Sequence, residues 1–482
     1  MNSIQTTPFV FTLCLAIIFS STIVRAKANP KKEFEGDFAN IDEYVDVQRD
    51  RLGIPGLSLG IVQGDQIVHL KGFGVADSSG KPVTAQTPFH MGSLTKSFTA
   101  LAVMQLVEAG KINLDAPVQT YLPWFMLADK QASTQITVRH LLNHTSGLSE
   151  KDGNRFWNSA ATMEEAVRQM SALRLNYPVG TKYQYCNLNF VVLGVIVEKV
   201  SGQTYVDYVT EHILSPLEMR NSFTSQSDAV AHGLSEGYYY VMNRAYKRDG
   251  VYPPAYLATG LLVSSAEDMS HYLIAQLNAG KYGDVAVLSP QGIAELHNPV
   301  APMTRPDTSY AMGWVVSPFD GVTSIWHNGD ITNFHGMVIL QPEKGHGVVM
   351  LANATGFNQI IQLDGIAKGV VNLLNGKQPA PITLPFMFRF LYWSILLTVF
   401  LQIIWIAFVL LQGQPNGWQA IVALLLNLAV ANFFLFGIPG LVPFPLSSLT
   451  AYYPEIGYTL ISGATIGFGW SLARIITYIW MR

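Results

Sequence analysis

The chain has 482 residues, room for a large core and more than one domain, with 13% charged and 49% hydrophobic side chains and a formal net charge of −3. So few charges are unusual for a wholly soluble protein, and the apolar excess is confined to residues 386–482. Setting aside the net +2 of that block and the +2 of Arg25 and Lys27 leaves about −7 on residues 29–385, a mildly acidic surface that argues against nucleic acid as a partner.

Residues 1–28 read as a signal peptide or N-terminal anchor. An apolar run from Phe9 to Phe19 precedes Ala26-Lys-Ala28, an A-x-A pattern, while the absence of Lys or Arg before the run keeps an uncleaved anchor open. Either way the following chain is exported. Cys14 follows Leu13, where a lipoprotein signal needs a small residue, so lipidation is not expected. Cys186 then has no partner, and neither a disulfide nor a cysteine-based metal site is expected.

Residues 29–375 read as one exported domain. Asp37 caps a helix that turns Phe38, Ile41, Val45 and Leu52 inward and stops at Gly53. Alternation on either side of Gly64-Asp65 predicts a β-hairpin from Pro55 to Leu70. Ser78-Ser-Gly-Lys81 lies in turn chemistry and reads as a solvated loop. A second Ser-x-x-Lys, Ser93 to Lys96, instead opens an apolar helix with Phe98, Leu101, Ala102 and Leu106 at three- and four-residue spacing and a stop at Gly110. A hydroxyl beside an ammonium at a helix N-terminus becomes a nucleophile if a neighbour takes its proton.

The middle of the domain is helical. Thr162 with Glu165, and Ser264 with Glu267, form capping-box patterns before helices ending near Leu173 and Gly280, and Leu188 to Val200 reads as a core helix. Short strands return at Ala311–Val316, Ser324–His327, Phe334–Gln341 and Gly347–Ala352, and a helix from Asn358 to Leu374 closes the domain. Strands, then helices, then strands predict an α+β fold. Both ends of the domain build one antiparallel sheet around an inserted helical subdomain.

A proline-spaced linker, residues 376–385, leads to the apolar block. Phe386–Leu411, Trp418–Ile438 and Ile456–Trp480 each supply the ~20 apolar residues that cross a ~30 Å hydrocarbon core, so three transmembrane helices and a bilayer partner are expected. With the domain outside, Arg474 and Arg482 fall at the cytoplasmic end, as positive-inside asymmetry requires, with Arg389 a small exception.

The partners that Ser93 needs lie in Tyr185-Cys186-Asn187 and in Trp326-His327-Asn328-Gly329-Asp330. In the order Ser93-x-x-Lys96, Tyr185-x-Asn187 and His327-x-Gly329, spaced by 92 and 142 residues, the chain resembles the class C β-lactamase and DD-peptidase family of serine hydrolases, penicillin-binding-protein-like. Ile136–Leu148 and Ala258–Asp268 fit as well, over about residues 38–375, and the trailing spans are similar to its membrane-anchored, Fmt-like branch. The resemblance implies a β-lactamase/transpeptidase-like fold and an acyl-enzyme on Ser93, without metal or cofactor. It further implies that Lys96, near ~10.4 when free, lowers Tyr185 from ~10 toward phenolate, the base. Asn187 orients Lys96 and the substrate amide, His327 donates toward Tyr185, and the N–H groups of Ser93 and Asp330 form the oxyanion hole.

One departure concerns the third motif, which usually begins with lysine and continues with a hydroxyl residue; here His327, Asn328 and Gly329 stand in that place. Asn328 leaves open the choice among D-Ala-D-Ala carboxypeptidase, β-lactamase and esterase; the leading reading is a hydrolase of D-alanyl or related acyl groups of the cell envelope, and the membrane block, more than anchoring requires, keeps a weakly catalytic sensor as the alternative. A rival nucleophile, Ser235 in Gly233-Leu-Ser-Glu-Gly237, lacks the strand before and helix after that a nucleophile elbow needs. His90 and His144 read as loop braces, Cys186 as a packed residue, and Trp326 and Phe334 as either sheet packing or lining of the site.

Overall fold

The structure is a computed structural model that describes residues 38–482 apart from 157–158, 242, 385, 413–416, 442–445 and 481–482. The expected signal segment, Cys14 and the Asp37 cap lie outside the described residues. Helix α1 (Phe38–Leu52) leads into the hairpin β1 (Gly56–Gln63) and β2 (Gln66–Gly74), turned at Gly64 with φ +58°. After α2 (Thr95–Glu108), α3 (Asn187–Ser201) and α4 (Ala266–Leu277) come β3 (Ala301–Pro302), β4 (Ser309–Tyr310), β5 (Val315–Phe319), β6 (Val322–Ile331), β7 (Phe334–Gln341) and β8 (His346–Ala352). Helix α5 (Gln359–Leu374) follows.

These strands form one antiparallel sheet in the order β2-β1-β8-β7-β6-β5-β4-β3. The first hairpin pairs with the last strand, Leu57 opposite Ala352 and Gln63 opposite His346, so both ends of the domain close the sheet as expected. Of the predicted strand Ala311–Val316 only Val315 and Val316 lie in a strand, β5, because Ala311 to Trp314 make the tight turn that joins it to β4.

Both faces of the central strands are covered. Leu57, Leu59 and Ile61 of β1, with Met337, Ile339, Val348 and Met350, pack against Ile41 and Val45 of α1 and Leu363, Ile366 and Val370 of α5. The alternate residues Val338, Leu340, Val349 and Leu351 join the core of Phe98 and Leu101 on α2 and the α3 helix. Successive side chains point to opposite faces, so a strand with two covered faces is apolar throughout. Each such leucine or isoleucine contributes roughly 2 kcal/mol relative to exposure. Edge strand β2 keeps one exposed face.

Two local readings shift. Ser93 occupies a 3-10 turn, Gly92–Leu94, just before α2 rather than the first turn of the α-helix, and α2 is buried nearly all round from Thr95 to Met104. The cap of α4 is Ser265, which accepts from the Asp268 N–H, because Ser264 pairs with Phe89 in a two-residue bridge and turns its hydroxyl to Ser222.

Beyond the linker, α6 (Phe386–Gln412) is followed by α7 (Gly417–Asn432), which runs through a π turn into Ile438–Leu441, then by α8 (Leu446–Tyr452) and α9 (Pro454–Trp480). Ile421–Gly440 and Pro454–Ile476 are long and apolar enough to cross a bilayer, whereas the described apolar stretch of α6, Tyr392–Ala407, is shorter. Two helices therefore meet the criterion where the sequence reading has three. Asn427 links the three helices, accepting from Gln402 at 3.3 Å and donating to Ser471 at 2.8 Å.

The turn carrying Ser93 meets the sheet without side chains between them. A Cβ on Gly92, whose φ is +55°, would lie 2.7 Å from the Asp330 nitrogen, and one on Gly329 would lie 1.9 Å from the Met91 carbonyl oxygen. Gly329→Ala is expected to cost more than about 2 kcal/mol by forcing two backbones apart. Gly64→Ala, which meets nothing and bears only its positive φ, is expected to lose about 1 kcal/mol. Denaturant unfolding of both variants checks the difference.

Candidate active site

Ser93 Oγ stands between the buried Lys96 and the half-buried Tyr185, 3.0 Å from Lys96 Nζ and 2.8 Å from Tyr185 Oη. The 3-10 turn makes this possible, because residues three apart overlie one another in that geometry. Tyr185 arrives from the loop before α3, held by His144: the Cys186 N–H donates to His144 Nδ1 at 3.2 Å, and the ring of His144 lies 4.4 Å from that of Tyr185. The bracing role read for His144 is thus visible in its contacts. His90 stacks on Tyr252 at 4.0 Å.

Lys96 has no accessible surface, and its Nζ lies within hydrogen-bond distance of three oxygens, Ser93 Oγ at 3.0 Å, the Thr259 carbonyl at 2.8 Å and the Thr259 hydroxyl at 3.3 Å; a neutral amine donates to the two Thr259 oxygens and accepts from Ser93. Burial disfavours its charged form and drives its pKa well below the usual lysine value. Burial also pushes the Tyr185 hydroxyl up, against the opposing pull of its hydrogen bond to Ser93. Desolvation therefore works against both members of the expected pair, disfavouring the Lys96 ammonium and the Tyr185 phenolate alike.

Asn187 reaches Lys96 through Thr259, whose hydroxyl donates to Asn187 Oδ1 at 3.3 Å, while Asn187 Nδ2 donates to Asn154 at 3.0 Å. His327 also finds another partner. Its Nδ1 faces the Asn328 carbonyl, which only accepts, so Nδ1 carries the proton and Nε2 accepts from the Tyr310 hydroxyl at 3.1 Å. Burial lowers His327 to about 4. The histidine is neutral and bonded to Tyr310, rather than donating toward Tyr185.

Strand alternation sends the neighbours of His327 to the other face of β6. Asn328 Nδ2 donates to both carboxylate oxygens of Asp364 on α5, at 3.2 and 3.3 Å, so its side chain faces α5 rather than Ser93. Gly329 provides the close approach to Met91, and the Asp330 nitrogen lies against Gly92. The Asp330 carboxylate accepts from Thr355 and from the Tyr453 hydroxyl at 3.3 Å, and lies 3.6 Å from His335 Nδ1. His335 Nε2 is 3.1 Å from Asp364.

Sequence reasoning assigned no role to Thr259, Tyr310, His335 or Asp364. Thr259 and His335 sit inside stretches singled out for their motifs, but nothing in the spacing marks them. The rivals fall elsewhere. Ser235 is buried, donating to the Ala76 carbonyl at 2.8 Å and accepting from Asn353 at 3.0 Å. Ser78 is on the surface beside Glu236. The Cys186 thiol is buried, and burial pushes it up to about 12, so it stays a thiol. Trp326 donates to Ser317 and Phe334 is buried against His90, both as packing. No cluster of three or more His, Cys, Asp or Glu able to hold a metal occurs among the described residues.

Comparison with known proteins follows the same residues. The family model described as Beta-lactamase matches residues 40–371. Protein flp of Staphylococcus aureus strain MW2 is 28% identical over 323 residues, covering 65% of this chain and 62% of that protein. Unguisins hydrolase ungD' of Aspergillus campestris is 31% identical over 346 residues, covering 67% and 64%. The chain thus spans less than two thirds of the length of these relatives. The octameric penicillin-binding protein homologue from Pyrococcus abyssi superposes with a TM-score of 0.62 at 29% identity, covering 74% of this chain and 82% of that one.

Burial alone would lower the His335 imidazole, but the Asp330 carboxylate 3.6 Å away and the hydrogen bond to Asp364 outweigh it and raise the pKa to about 9. An unfolded histidine releases its proton near ~6.5. The clamp therefore contributes on the order of 3 kcal/mol that is fully present below pH ~6.5 and lost as pH rises through about 9. Thermal unfolding of the full chain is expected to weaken across that window, and His335→Gln to remove most of the slope.

Proposed function

Because the chain belongs to the β-lactamase family, we propose that it is a membrane-anchored serine hydrolase that acts outside the cytoplasmic membrane, through an acyl-enzyme on Ser93, on D-alanyl or related acyl groups of the cell envelope. The observation that carries this reading is the position of Ser93 Oγ, 3.0 Å from a buried lysine and 2.8 Å from the hydroxyl of a half-buried tyrosine. The neutral Lys96 amine takes the Ser93 proton as Oγ attacks the carbonyl. Tyr185, hydrogen-bonded to the same oxygen, passes a proton to the leaving group. The N–H groups of Ser93 and Asp330 receive the oxyanion. Water then cleaves the acyl-enzyme by the reverse path.

The leaving group that fits best is an alcohol, which makes the protein an esterase within its family. Asn328 stands where a hydroxyl would bind a substrate carboxylate, and its amide is engaged by Asp364. The carboxylates of Asp330 and Asp364 beneath the same strand share the single His335 cation, and the net negative charge they leave disfavours a further anion. The anchoring reading rests on Ile421–Gly440 and Pro454–Ile476. Their connection then lies on the same side of the bilayer as the domain, consistent with the Tyr453 contact to Asp330.

Incubating the detergent-solubilised full chain with a soluble fluorophosphonate and a fluorescent β-lactam tests the reading. Fluorophosphonate label is expected on the native chain and absent from Ser93→Ala; label lost in Ser235→Ala but kept in Ser93→Ala would overturn the assignment. Lys96→Arg, permanently charged, is expected to label about 10³-fold more slowly. Since burial lowers Lys96, the labelling rate should climb with pH and level off well below the ~10.4 of a free lysine. A profile still rising at that pH rules out the neutral amine as base.

A further inference from the structure

The apolar block does more than follow the hydrolase domain; one of its corners is packed into the site. Tyr452 and Tyr453, between α8 and α9, are 8% and 7% exposed and belong to the same buried cluster as Leu94, Phe98 and Phe334. The Tyr453 hydroxyl donates to Asp330 at 3.3 Å, and its ring meets Phe357 edge-on at 5.5 Å. The Tyr452 ring lies 6.2 Å from that of Tyr453, in the neighbourhood of Tyr256, Asp330 and Tyr185. One turn earlier the Thr450 carbonyl accepts from Arg248 at 3.5 Å. Pro454, the residue after Tyr453, begins one of the two stretches able to cross a bilayer.

The spacing fixes the depth of the nucleophile. Asp330, whose nitrogen lies against Gly92 next to Ser93, is held by the residue that immediately precedes an apolar span. Tyrosine at the end of a span sits at headgroup level, its ring in the apolar region and its hydroxyl toward polar groups. Sites also form preferentially where two structural units meet.

Resting on the hydrolase reading above, we propose that the Tyr452–Tyr453 corner is a wall of the Ser93 site and that the substrate is an acyl ester whose alcohol part is an amphiphile resident in the same bilayer. Ser93 Oγ forms a bond to the acyl carbon as the ester C–O bond breaks. The Ser93 proton passes through Lys96 and Tyr185 to the departing alkoxide, which leaves as the membrane-borne alcohol. Water then releases the acyl group as a carboxylic acid and restores the serine. Tyr452 and Tyr453 are specificity-determining on this account: they meet the alcohol part at the interface, and the carbonyl is handled by Ser93 and Asp330.

The test uses the full chain in phosphatidylcholine vesicles and two fluorophosphonates with the same reactive group, one short and soluble, the other carried on a dialkylglycerol anchor. Both react by displacement of fluoride by Ser93 Oγ, so the acyl preference of the enzyme does not enter. The anchored probe is expected to label Ser93, at a rate that falls in proportion to its mole fraction when phosphatidylcholine is added at constant bulk concentration. Tyr452→Ala is expected to lower the ratio of anchored to soluble labelling rates at least ten-fold. Soluble label without anchored label, a rate indifferent to surface dilution, or an unchanged ratio in Tyr452→Ala overturns this inference and leaves the hydrolase reading standing. Failure of both probes overturns the two together.

Discussion

An amine with no access to water governs this site. Lys96 is enclosed on α2 between the sheet and the helical layer, and its Nζ meets three neutral oxygens, two from Thr259 and one from Ser93. No carboxylate is among those partners, so burial favours release of the proton, after which the amine donates to Thr259 and accepts from Ser93. Such a release turns the lysine from an electrostatic support into a base. It also explains why Tyr185 remains protonated, since a phenolate in the same apolar surroundings would have no cation to balance it.

The geometry around that amine depends on backbone contact. Helical layer and sheet touch at Gly92 and Gly329, two positions where any side chain would collide with main chain. Through that contact the strand β6 delivers His327 to one face and Asp330 to the turn holding Ser93. The other face of the strand is fixed by Asn328, Asp364 and His335, so the oxyanion strand is clamped from below by charge and from above by glycine. Rigidity of this kind suits a site that must present donors before the charge develops.

Much of this was legible in the sequence. The sheet closed by both chain ends followed from the order of strand-like and helix-like segments, and the Ser93, Tyr185 and His327 stretches converge as their motifs require. The failures have physical causes. Spacing says that Lys96 overlies Ser93 but nothing about how much water reaches it, so the burial that opposes a charged Lys96 could not be read from the pattern. His327 and Asn187 take their partners from Tyr310 and Thr259, residues distant in sequence that no pattern marks. The Ser264 cap was misplaced by one residue because a tertiary pairing with Phe89 claimed it. Apolar runs indicated three spans of similar standing, and two meet the length and composition over the described side chains.

The contact between Tyr453 and Asp330 joins two parts of the chain 123 residues apart. Severing the chain in the proline-spaced linker would strip the Asp330 carboxylate of one of its two hydroxyl donors and unroof the tyrosines and aromatic rings beneath α8. Such a fragment would display a wider, wetter and more negative opening than the intact molecule. Its selectivity among esters would belong to the cut surface, and the smallest piece that retains the native opening ends within α9 rather than at the linker.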